Sequence, residues 1–160
     1  MWDTLQFGLL ITLVLLLVIA AIGDIRRYTI PNRLCLAVAA LALPYWIAVG
    51  LGQGEPLLPL FGWQVGVAFL VFAGFVFLFA LGAMGGGDVK LIAALALWVP
   101  PSRTLELLFL VALFGGALAL VLIVVRRIRG DASRAVPYGV AIAAGGIGCL
   151  LEPIVNFWAL

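Results

Sequence analysis

Six apolar runs, at residues 5–22, 34–52, 57–83, 89–99, 105–125 and about 135–151, take up most of this 160-residue chain. A helix that crosses a bilayer needs roughly 20 apolar residues. Runs this dense leave no length for a water-soluble domain. The expected fold is therefore all-α, a polytopic membrane bundle of about six transmembrane helices forming one domain over residues 1–160. Composition points the same way: 66% of residues are hydrophobic and 10% charged, too little polar material to coat a globule in water. The fourth run stands apart. At about 1.5 Å per residue it is too short to cross a ~30 Å core, so it must borrow length from residues 85–88 or stop part way. The third run is long enough to tilt or bend, Pro44 should kink the second, and residues 50–59 read as a polar turn.

The charges give the bundle a direction. With six spans, the connections after the first, third and fifth share a side and hold Arg26, Arg27, Arg33, Lys90, Arg126, Arg127, Arg129 and Arg134, eight of the nine basic residues. Only Arg103 falls opposite. Positive charge accumulates in cytoplasmic connections, so these three are expected in the cytoplasm and both termini outside. Asp3 precedes the first run and three arginines follow it, the reverse of a secretory signal, so this run is expected to stay as a helix. A net charge of +2 is too small to suggest nucleic acid as a partner; membrane lipid is the expected surrounding.

Histidine is absent, which removes imidazole bases and His-containing zinc sites together. Cys35 and Cys149 form no CxxC pair, so no metal site is expected and no cofactor is implied. Any catalysis must then use carboxylates, Lys, Ser, Thr, Tyr or Cys, and the carboxylates are the first to weigh. Asp3, Glu55 and Asp131 sit at a terminus, in a loop and among arginines, while Glu106 and Glu152 lie at run ends where side chains snorkel to the interface. Asp24 and Asp88 remain. Asp24 closes the first apolar helix, where it could simply pair with a neighbouring arginine. Asp88 follows Gly85-Gly86-Gly87 between two apolar runs. Three glycines disfavour a helix, so the backbone is expected to unwind there, and unwound backbone at membrane depth needs protein or water around it. A hollow holding a carboxylate is the implied object. The segment lacks the spacing and the Ser/Thr of a phosphate-binding loop.

Asp24 and Asp88 fall on the same side of the predicted bundle. Two carboxyls sharing a site can divide one proton, so that one accepts a proton from water while the other donates to a substrate carbonyl. The same pair could instead serve as ion sites of a small ion-coupled transporter, with the glycine break as its discontinuous helix. Against that stand the lack of a repeated half and of a second broken helix. A metal-dependent lipid enzyme needs more clustered acids, and a membrane scaffold leaves the glycine break without a reason.

The motifs also carry a resemblance. Gly85-Gly86-Gly87-Asp88-Val89-Lys90 resembles the GxGD motif of intramembrane aspartyl proteases, and Asp24 followed by Ile30-Pro31-Asn32 resembles the first-aspartate segment of type IV prepilin peptidases. Val136-Pro137-Tyr138-Gly139-Val140-Ala141 is similar to a third segment of that family. The resemblance implies a six-helix aspartyl endopeptidase of the bacterial inner membrane. It would cleave the leader of prepilins or pilin-like proteins at the cytoplasmic face. Asp24 and Asp88 would be its catalytic residues, with Gly85 and Gly87 as loop glycines beside the second. The larger members carry a cytoplasmic insertion with paired CxxC motifs and an N-methyltransferase activity. This chain has no such insertion, so it resembles the short, peptidase-only form associated with Flp or tight-adherence pili.

Overall fold

The computed structural model describes residues 1–129 and 136–158. Asp131, Arg134 and the expected start of the last run at Ala135 lie outside the described residues. Among the described residues there are six α-helices: α1 (Trp2–Arg27), α2 (Asn32–Gln53), α3 (Leu57–Ala80), α4 (Gly86–Ala96), α5 (Thr104–Arg129) and α6 (Tyr138–Trp158). A 3-10 turn at Pro101–Arg103 precedes α5. The sequence explains where these helices begin. Pro31, Pro56 and Pro137 each directly precede a helix, and Pro100 and Pro101 stop the chain after α4, because proline cannot donate to a preceding turn but suits a helix entry. Gly54, with φ 70, ends α2 in the left-handed conformation. α2 runs unbroken through Pro44.

α1, α2, α3 and the segment Pro101–Ile128, which takes in nearly all of α5, are long and apolar enough to cross a membrane. Large apolar side chains such as Leu15, Ile19, Leu70, Phe77, Leu120 and Ile123 are exposed on them. An aqueous surface would not carry this much apolar area, so the exterior is a lipid-facing one. Inside, α1 packs against α2 and α6, and α5 packs against α6. Leu13, Leu17, Leu91, Ile92, Leu95, Leu107 and Ile142 are fully buried where they meet. Close approach of α6 to α5 needs Gly145, where a Cβ would fall 2.7 Å from the backbone nitrogen of Val111.

The short fourth run resolves as a central helix. α4 contacts α2, α3 and α6, and beyond Asp88 it is buried except at Lys90 and, in part, at Ala93. The helix does borrow Gly86 to Asp88, as its sequence allowed, but ends at Ala96; at about 1.5 Å per residue its length is roughly 16 Å, still short of a ~30 Å core. A helix ending inside the bundle exposes carbonyls that no water can reach. Gln64 of α3 meets them: its amide nitrogen donates to the carbonyls of Ala96 at 2.9 Å, Leu97 at 3.1 Å and Val99. The Trp46 indole N–H also donates to Leu97, and that of Trp98 donates to Val38 at 2.8 Å.

Candidate active site

The site lies where α1 ends and where α4 and α6 begin. Asp24 occupies the last turn of α1 and is buried. Just beyond it, Tyr28 closes the helix by donating its backbone N–H to the Asp24 carbonyl at 2.8 Å. Tyr28 has φ 51, a left-handed conformation that costs a side-chain-bearing residue roughly 1–2 kcal/mol. This turn sends Tyr28, Thr29 and Ile30 back along the cavity beside Asp24. The Asp24 side chain does not pair with the neighbouring arginines. Its Oδ2 instead accepts a 2.7 Å hydrogen bond from the backbone N–H of Gly139. Gly139 is the second residue of α6, where helix N–H groups have no partner within the helix and the helix dipole favours an anion.

Asp88 is the third residue of α4 and is partly exposed. The backbone amide of Gly85 faces its carboxylate, an acidic side chain reaching back to the residue before the helix, as at other helix starts. The glycine triplet differs from its expected form. Gly86 and Gly87 are helical, and the break occupies Leu81 to Gly85, with Gly82 at φ 71. An anionic side chain in the first turn and the packing of that turn hold these glycines in a helix that propensity alone disfavours.

Asp24 and Asp88 line one cavity of about 540 Å³, together with the loop residues on either side, Val136 and Tyr138. Residues 64 apart in sequence are thus brought together by three helix ends. Gly85 and Gly87 hold this arrangement in different ways. A Cβ at Gly85 would meet Asp88 Oδ2 at 2.8 Å, whereas one at Gly87 would meet the Ile30 side chain at 3.2 Å and its carbonyl at 3.3 Å. Gly87 therefore sets how closely the Asp88 turn sits on the loop that follows Asp24. Among the described residues, no group of three Cys, Asp or Glu comes together to hold a metal.

Two contacts escaped the sequence. The 136–141 motif was visible, but the role of Gly139 against Asp24 was not. Asn32, at the first position of α2, accepts a 2.8 Å hydrogen bond from the Lys90 ammonium, tying the entry of α2 to the first turns of α4.

Comparison with known proteins adds to this geometry. Residues 11–120 match the type IV leader peptidase family. The chain is 30% identical over 150 residues to the prepilin leader peptidase/N-methyltransferase of Bacillus subtilis (strain 168). That match covers 89% of this chain and 56% of the relative, so the chain spans little more than half the relative's length. No solved structure gives a significant match.

Proposed function

Since the chain belongs to the type IV leader peptidase family, we propose that it is a membrane aspartyl endopeptidase that removes the leader from a prepilin or pilin-like protein. The observation that carries this reading is the cavity shared by Asp24 and Asp88. A water held between them loses a proton to the ionised carboxyl as it attacks the scissile carbonyl. The protonated carboxyl donates to the carbonyl oxygen, and the tetrahedral species collapses as the leaving amine takes up a proton. Water is the nucleophile, so neither histidine nor cysteine is required. Gly139, Gly85 and Gly87 act as positioning residues around this pair.

The basic residues Arg26, Arg27, Arg33 and Lys90 surround this end of the bundle. Their placement supports a cytoplasmic active site in an inner-membrane protein, through the bias of positive charge towards cytoplasmic connections. The absence of paired CxxC motifs from this sequence supports a peptidase without methyl transfer. Family membership favours this reading over an ion-coupled transporter built on the same aspartates.

The test is cleavage of a purified prepilin by the purified chain in detergent or liposomes. Asp24→Asn and Asp88→Asn should each lower the rate by roughly a thousandfold or more, and the double variant should be no slower than either, as expected of groups that act as one unit. Near wild-type cleavage by either single variant would exclude the aspartic mechanism.

A further inference from the structure

On the opposite side of the α1–α2 loop lies a second cavity, of about 550 Å³, that the peptidase chemistry does not use. Arg26 and Arg27 from the end of α1 and Arg33 from the start of α2 line it. Its floor is aliphatic, formed by Ile19 and Ile22 of α1 and by Leu34 and Ala37 of α2. The three arginines are exposed, and none is ion-paired with an acidic residue among the described residues. The nearest carboxylate in sequence, Asp24, is buried and turned to the catalytic cavity.

We propose that this cavity binds the headgroup of an anionic phospholipid, with the start of an acyl chain on its aliphatic floor. Guanidinium groups match phosphate oxygens with paired N–H donors. Three of them together favour a lipid with net negative charge over a zwitterionic one, whose own ammonium would be repelled. The floor supplies the second half of the assignment. Ile19 and Ile22 are exposed on a membrane-crossing helix, so an acyl chain leaving the cavity runs directly along a lipid-facing surface. A small anion would make no contact with those side chains. Thr29 lines both this cavity and the catalytic one. The next residue, Ile30, packs where a Cβ on Gly87 would be placed. A bound lipid therefore braces, from behind, the loop that separates it from the aspartates.

The test reads binding and does not depend on peptidase activity. Purified wild-type chain is given phosphatidylglycerol and phosphatidylcholine with matched acyl chains, and retained lipid is counted by native mass spectrometry. Phosphatidylglycerol should be retained roughly tenfold better. Replacing the three arginines together (Arg26→Gln, Arg27→Gln, Arg33→Gln) should abolish that preference, whereas Arg126→Gln with Arg127→Gln should leave it unchanged. Ala37→Phe alters no charge but fills the floor, and should also lower retention. Equal retention of the two lipids by the wild-type chain would overturn the proposal, as would a preference that survives the triple replacement. Displacement of phosphatidylglycerol by an equal concentration of glycerol 3-phosphate would overturn it in another way, by assigning the cavity to a free anion.

Discussion

The backbone N–H of Gly139 donates to Oδ2 of Asp24 across 115 residues of sequence, at 2.7 Å. This bond ties the end of α1 to the start of α6, two helices that also pack along their length. It leaves no room for a side chain at position 139, where a Cβ would lie 2.9 Å from both the Cβ and Oδ2 of Asp24. The relationship is one of position, because Gly139 need not touch substrate to govern where the carboxyl points.

Gly139→Ala is accordingly expected to lower prepilin cleavage about ten- to a hundredfold, in line with the sensitivity of catalysis to misplacement by about 1 Å. The added methyl group should displace the Asp24 side chain while α6 still forms, since alanine is the better helix residue. Cleavage assays and thermal unfolding in the same detergent check this. A fall in activity matched by an equal fall in folded protein would show a merely structural role.

Gly87→Val should also impair cleavage, through a different contact. The valine side chain would meet Ile30, which is buried with its carbonyl close by, so the first turn of α4 must move off the loop and carry Asp88 with it. The expected loss exceeds tenfold, larger than that of Gly87→Ala, whose single methyl group is the smaller intrusion. The ratio of the two variants in one cleavage assay decides the point.

Gln64→Leu should destabilise the bundle without touching the catalytic cavity. It keeps the side chain's bulk but removes the donors to Ala96, Leu97 and Val99. Carbonyls left without partners in a buried setting cost about 1–3 kcal/mol each, although the Trp46 indole continues to serve Leu97. Reversible unfolding in mixed micelles should show a loss of about 2 kcal/mol or more, with cleavage by the remaining folded protein nearly unchanged.

Sidedness can be read in intact cells. In a background lacking Cys35 and Cys149, both buried, a cysteine at Glu55 should react with a membrane-impermeant thiol reagent, while one at Arg27 should react only after the cells are opened. The inverse pattern would place the aspartates on the outer face and exclude cytoplasmic leader cleavage.

Much of this architecture is legible in the sequence. Helices of the observed order follow from apolar runs and prolines, and Asp24 and Asp88 stood out because few carboxyls lay between apolar stretches on one side. Gly85 and Gly87 were legible as neighbours of Asp88, but not their separate contacts with Asp88 and Ile30. The unwinding expected at the glycine triplet is confined to residues before Gly86, because glycine propensity is local whereas the packing that keeps Gly86 and Gly87 helical is not. Both the borrowing of Gly86 to Asp88 by α4 and its interior stop could be foreseen. Its capping could not, although Gln64 did leave a signal as a polar residue within an otherwise apolar helix. Gly139 was the least legible, since its partner is decided by how α1 and α6 meet.

The reach of α5 shapes access to the aspartates. Tyr138, at the foot of α6, packs beside Gly115, in the middle of α5, yet α5 continues to Arg129. Residues 116–129 add about 21 Å of helix at 1.5 Å per residue, and none of those with a described side chain is buried. They are apolar as far as Val125, whereas the arginines of α1 begin two residues after Asp24. The rim of the catalytic hollow therefore has a greasy parapet on its α5 flank, while the exposed Tyr28 and Thr29 of the α1–α2 loop line another part of it. For the proposed prepilin substrate, the expected seat of its apolar helix is this parapet, with the bond to be cut beyond that helix's end.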